Sequence, residues 1–244
     1  MLSNRHWKTE IVVAFLLGVL GCLLCGMLLT RLLFGPLPAG AVPGAARAAV
    51  GVLCFQLGTL FCAGWLLARH GTSWREAFGW ANRRAQSLWL PVVTIALFLP
   101  VGALLKNGTS GLLKFLGRPD HEQNALLILQ RSTTLPTLLL LGVLTVLLAP
   151  LVEELIFRGV LYPWLKGLGF PRLAWWGTAT LFAAIHGNLP AFLPLVGLAL
   201  LFVWLYEKTD NLLAPITAHL VFNAVNFVLF LLLRERAAPG LLPA

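Results

Sequence analysis

The sequence predicts an all-α, polytopic membrane protein, and three observations predict it. Hydrophobic residues make up 59% of the 244 residues, charged residues make up only 11%, and uncharged runs of spanning length recur along the chain. A soluble domain carries about 25% charged residues to wet its surface. A chain with less than half that share does not cover a water-soluble globule, so a soluble enzyme and a disordered chain are both excluded. Inside a bilayer only helices and closed barrels satisfy the backbone's polar groups, and runs of about 20 residues suit helices. The net charge of +9 comes from 18 Lys and Arg against 9 Asp and Glu. These cations stand singly between apolar runs, which suits loops facing headgroups and excludes an ordinary nucleic-acid partner.

The first span runs from Ile11 to Thr30, with Arg5 and Lys8 before it. A cleavable signal has an apolar region of about 7–15 residues. This run is longer, so it is read as a retained anchor. The second span is Ala48 to Ala68 and the third is Ala85 to Leu105, between Arg84 and Lys106. In the long connection from Lys106 to Thr134, Gly108-Thr109-Ser110-Gly111 superficially fits the serine element of rhomboid proteases. It follows Lys106-Asn107 and is read as a turn. His121 to Arg131 holds an apolar cluster that could lie on the membrane or re-enter it, a candidate eighth helix.

The fourth span starts near Leu135 and is apolar to Val152. From Leu173 to Tyr206 there is no Asp, Glu, Lys or Arg, and Gly187-Asn188-Leu189-Pro190 divides that stretch into a fifth and a sixth span. The seventh is Leu212 to Leu233, closed by Arg234-Glu235-Arg236, after which a Pro- and Gly-containing tail is expected to fray. Seven to eight helices thus fall into three parts: residues 1–134 (N-terminal helices and connecting loop), 135–233 (the core that carries the chemistry) and 234–244 (the tail). The concentrated cations from Arg69 to Arg84 favour an N-terminus inside. Cys22, Cys25, Cys54 and Cys62 all lie in apolar spans. Despite the CxxC spacing of Cys22 and Cys25, they read as small packed hydrophobes and imply no disulfide framework.

Ionisable groups inside spans are costly, so each is a functional hypothesis by default. Three places qualify, on three helices. In Pro150-Leu151-Val152-Glu153-Glu154-Leu155-Ile156-Phe157-Arg158, Glu154 and Arg158 are four apart and pair on one helix face. Glu153 is turned about 100° away and stays free, while Pro150 removes a backbone hydrogen bond just upstream. His186 ends the fifth span, after Phe182. His219 and Asn223 share a face of the last span, with Asn226 seven residues from His219. A free carboxylate near an imidazole can hold a water and take its proton. A second imidazole and an amide can donate to a developing oxyanion. Together these are the parts needed to hydrolyse an amide bond.

Glu153-Glu154-x-x-x-Arg158, Phe182-x-x-x-His186 and His219-x-x-x-Asn223, ordered thus on apolar helices, resemble the CPBP family of intramembrane proteases. That family includes the type II CAAX prenyl endopeptidases and the bacterial abortive-infection and bacteriocin-processing proteins. The resemblance covers roughly Leu140 to Phe227. It implies a helical core around a cavity opening toward the membrane, with Glu153 activating water and His186 as its partner. It also implies that His219 and Asn223 form the oxyanion site, and that Glu154 and Arg158 hold the geometry. The implied partner is a membrane-associated peptide or protein in a lipid bilayer, in a bacterial inner membrane. Metal dependence stays open: Glu153, His186 and His219 are zinc ligands in type, but HExxH is absent, since His121-Glu122 is followed at position 125 by Ala125. No residue is assigned as a metal ligand. The alternative from another class is a non-enzymatic immunity or scaffold protein, or a proton-coupled carrier. A carrier predicts an inverted repeat, and the first half holds no second Glu-Glu element.

Overall fold

A computed structural model describes residues 2, 5–38, 40–117, 124–131 and 134–237. These form α1 (Thr9–Phe34), α2 (Ala45–Arg69), α3 (Trp74–Phe78), α4 (Gln86–Phe115), α5 (Asn124–Arg131), α6 (Leu135–Gly167), α7 (Leu173–Ile185), α8 (Phe192–Thr209) and α9 (Leu213–Ala237), with no strand among the described residues. The chain is an all-helical, multi-pass membrane protein. Six helices (α1, α2, α4, α6, α8 and α9) are long and apolar enough to cross a bilayer.

Two expectations need correction. The fifth span is α7, which ends at Ile185. At 1.5 Å per residue it is about 20 Å long, short of a hydrocarbon core about 30 Å thick. The glycine-flanked Ser110 is not in a turn, because α4 runs through it to Phe115. Gly108 and Gly111 face open space, so they cost the helix only their low propensity, and Leu113 beyond them is buried. Of the candidate eighth helix, Asn124–Arg131 is described and is helical, as α5. His121 and Glu122 lie outside the described residues, as does the tail beyond 237.

α8 is the most buried of the six long helices. Its Leu198, Ala199, Phe202, Val203 and Leu205 are shielded from the surroundings by the helices packed around it. α1 and α2 form a close antiparallel pair in which small residues face thiols. Gly18 meets Cys62, Gly58 meets Cys22, and Gly26 meets Cys54 and the Gly51 backbone. Small residues at such a contact let backbones approach and gain dispersion contacts, the chief source of helix association in lipid. A Cβ on Gly58 would lie 2.4 Å from the Cys22 sulfur, whereas one on Gly21 meets nothing within 4 Å. Gly58→Ala is therefore expected to lower stability by about 1–3 kcal/mol, with Gly21→Ala harmless. Thermal melts of the two variants in the same detergent check this.

One end of the bundle is sealed by the N-terminal segment, α3 and the α8–α9 turn. Arg5 donates to Glu76 O at 2.9 Å and to Thr72 Oγ1 at 2.8 Å. Leu212 N donates to Phe78 O at 2.9 Å, and Asn82 Nδ2 to Asp210 O at 3.0 Å. A Ser73–Glu76 capping box starts α3, and the Ser73 backbone N–H is the main reason the Glu76 carboxyl titrates below its usual range. Gly79 ends α3 at φ +66°, and a Cβ there would strike Asp210 O at 2.4 Å, so only glycine fits. At the same end Tyr162 donates to Glu207 at 2.6 Å, and Lys166 pairs with the same carboxylate.

Candidate active site

α6 carries the acids, and its backbone is irregular around them. It contains two wide π turns, Val143–Leu148 and Leu155–Leu161, a geometry that recurs at functional sites. In the first, Ala149 N–H reaches back five residues to Leu144 O. In that register the next carbonyl, Thr145 O, would pair with position 150, but Pro150 has no N–H to give. Asn223 of α9 supplies the missing donor, its Nδ2 lying 2.8 Å from Thr145 O. In the second, Tyr162 N–H reaches back five residues to Phe157 O, and Trp7 Nε1 donates to Gly159 O of the same turn at 3.1 Å. Each π turn thus accepts a hydrogen bond from a side chain on a distant helix or segment.

Between these turns the adjacent glutamates part. Glu154 is fully buried, and its Oε1 accepts from Arg158 Nη1 at 3.0 Å and from His219 Nδ1 at 2.9 Å. Arg158, also fully buried, sends Nη2 to Ala199 O of α8 at 2.9 Å. Its guanidinium lies over Phe157, Phe182 and Phe202 at 5.8, 4.9 and 5.1 Å. Taking this pair out of water costs several kcal/mol per ion unless charge, hydrogen bonds and ring faces offset it. Here all three are supplied.

Glu153 faces another way. Its Oε2 is buried and has no hydrogen-bond partner among the described residues, yet lies 3.8 Å from His219 Nε2 and 4.0 Å from His186 Nε2. The far nitrogen of each ring is committed. His186 Nδ1 is 2.6 Å from Phe182 O, and a carbonyl only accepts, so Nδ1 carries the proton. His219 Nδ1 faces the Arg158-paired carboxylate of Glu154 and donates to it. Each ring thus turns its Nε2 toward Glu153. Phe182 packs its ring 4.7 Å from His186 and 5.7 Å from His219, and Phe202 stacks on His219 at 5.0 Å. His219 is buried, whereas Glu153 and His186 are about a quarter exposed, at 23% and 25% of their side chains. The cluster is therefore reached from one side.

The structure brings His186 and His219 each to within 4.0 Å of Glu153, across α6, the end of α7 and α9. Glu154 and Arg158 stand directly behind His219. Asn223 is one turn beyond His219, anchored on Thr145 O with one amide hydrogen left to give. Asn226 is not part of the group, since its amide returns to Phe222 O on an exposed face. Sequence reasoning missed Phe202, Thr145 and Gln56. A search for charged groups passes over an uncharged amide such as Gln56, one phenylalanine among many carries no signal, and Thr145 acts through its backbone.

A tetrahedral zinc site of these residues, with donors about 2.0–2.1 Å from the ion, would set them about 3.4 Å apart, nearer than the 3.8 and 4.0 Å separations. No group of three His, Cys, Asp or Glu among the described residues fits around a metal ion, and no step below is routed through one.

Residues 135–225 match the profile of the family described as "Type II CAAX prenyl endopeptidase Rce1-like". Among curated proteins, the chain is 26% identical over 123 residues to "Putative membrane peptidase YdiL" of Bacillus subtilis (strain 168), covering 50% of this chain and 49% of that one. It is 34% identical over 86 residues to "Uncharacterized protein YpbD" of the same organism, covering 34% of this chain and 41% of that one. The chain thus spans about half or less of the length of the curated relatives it matches. No solved structure matches it. Residues 135–225, the segment in which Glu153, Glu154, Arg158, His186, His219 and Asn223 all lie, are thus similar to the Rce1-like family of type II CAAX prenyl endopeptidases.

Proposed function

We propose that the protein is an intramembrane endopeptidase that hydrolyses a peptide bond in a membrane-associated peptide or protein, using water activated by Glu153. One observation carries this reading: a buried carboxylate oxygen with no protein partner, held about 4 Å from two imidazole nitrogens whose other sides are tied. Atoms at that separation can share one water at about 2.8 Å from each. Glu153 takes a proton from that water, and the oxygen attacks the substrate carbonyl to give a tetrahedral oxyanion. A protonated His219, its charge balanced by Glu154, donates Nε2–H to the oxyanion together with the free amide hydrogen of Asn223. His186 fixes the water from the other side. Glu153 then passes its proton to the leaving nitrogen as the C–N bond breaks, which restores the carboxylate. The family of residues 135–225 supports a CAAX-type substrate with a lipidated C-terminus, and a bacterial inner membrane is part of the same reading.

The test is turnover of a panel of CAAX-type and unmodified membrane peptides by the chain in liposomes. Removing one oxyanion donor costs about 10²–10³-fold in turnover. Asn223→Ala should therefore lower kcat steeply per folded molecule and move KM little. His219→Ala should be at least as severe, and the double variant far less than additive. A scaffold, immunity or carrier role makes no such demand. If cells carrying Glu153→Ala, His219→Ala and Asn223→Ala together keep the full biological effect at normal protein levels, the protease reading falls.

A further inference from the structure

We propose that Gln56 of α2, outside the family-matched segment, is a positioning residue that holds the Val143–Leu148 π turn and thereby aims the Asn223 amide. This rests on the role proposed for Asn223. Gln56 is buried, and its Nε2 donates to Leu144 O at 3.2 Å. The next carbonyl, Thr145 O, is the one that anchors Asn223. Side-chain amides from two different helices thus grip consecutive carbonyls of one turn.

Satisfying the backbone does not explain Gln56. Leu144 O already accepts from Ala149 N–H within the turn, so the second bond is additional. Nor does the packing of α2 explain it, because Gln56 Oε1 is buried without a partner. Such an orphan costs stability that an apolar side chain of the same length would not. Thr59, three residues on, repeats the anomaly. The helical residues Thr94, Thr109, Thr145, Thr178 and Thr209 each return their hydroxyl to the carbonyl four residues earlier. Thr59 is fully buried with its Oγ1 unpaired. α2 therefore carries two uncompensated polar groups on the stretch that meets α6. The bond from Gln56 selects the five-residue register at Leu144. If the turn relaxes to the ordinary four-residue register, the unpaired carbonyl moves from Thr145 to Val146, and the anchor of Asn223 is lost.

The experiment compares the full chain with Gln56→Met, which keeps length and removes the donor. Asparagine side-chain amides are labelled with nitrogen-15 and recorded in detergent, with Asn223→Ala identifying the resonance of interest. Gln56→Met should shift the Asn223 resonance and leave that of Asn188 in place, while the melting temperature stays level or rises. In liposomes kcat should fall about 10–100-fold, the scale of a misplaced catalytic group, with KM unchanged and no further loss in the Asn223→Ala background. An unmoved Asn223 resonance, a lower melting temperature, unchanged kcat or additive losses would each overturn the proposal. If the wild-type chain hydrolyses nothing, or Glu153→Gln hydrolyses as well as wild type, the protease reading falls. The resonance and the melting temperature still decide the role of Gln56.

Discussion

Glu153→Gln is expected to leave a folded, membrane-inserted protein whose turnover is lower by about 10²–10⁴-fold, the usual contribution of a general base. The substitution keeps the shape of the side chain and removes only its capacity to take a proton. Glu153 Oε2 makes no hydrogen bond among the described residues, so the substitution breaks none at that oxygen and the melting temperature should stay close to wild type. Turnover per folded molecule and a thermal melt, measured on one preparation, check both halves. Retained turnover would remove Glu153 from the role of base. A collapse in stability would mean that its oxygen holds the fold after all.

Glu154→Gln should act in the opposite sense, on the protein more than on its rate per molecule. Its carboxylate stands between Arg158 and His219, so the substitution strands a fully buried guanidinium. Breaking one partner out of a buried pair costs about 3–5 kcal/mol, a large part of the stability of most domains. Accumulation in the membrane and melting temperature should both fall sharply. Replacing both partners, as Glu154→Leu with Arg158→Leu, should recover much of that loss, since apolar groups carry no unpaired charge. Activity should not return with it, because His219 would have lost the carboxylate that orients its ring. If the double variant were as active as wild type, the placing of Glu154 behind His219 would carry no function.

Much of this was legible in the sequence for a simple reason: charge is scarce in a membrane, and every buried ion must be accounted for. The Glu154–Arg158 spacing of four reads as a shared helix face, and the structure closes it at 3.0 Å. The helix limits were less legible where breakers and apolar residues mix. Gly108 to Gly111 has the composition of a turn, yet the leucines after it keep α4 helical. The stretch before Gly187 has the hydropathy of a span, yet stops after α7. The second partner of Glu154 was hidden for another reason. Helical periodicity gives neighbours on one helix, whereas the bond to His219 joins residues 65 apart and depends on how α9 packs on α6. The π turns were invisible too. Pro150 announces a missing donor, but the register change around it follows from what Asn223 and Gln56 offer in space.

The shortness of α7 bears on the bilayer itself. An apolar helix of about 20 Å set in a film about 30 Å thick is a case of hydrophobic mismatch, and lipid beside such a helix thins or tilts at a cost of fractions of a kcal/mol per Å. His186 follows the end of that helix, so lipid thinned beside α7 would lie next to the cluster. A substrate segment too short to span undisturbed lipid would lose less by lying there than elsewhere. Segments would then be sorted by length before any side chain is recognised.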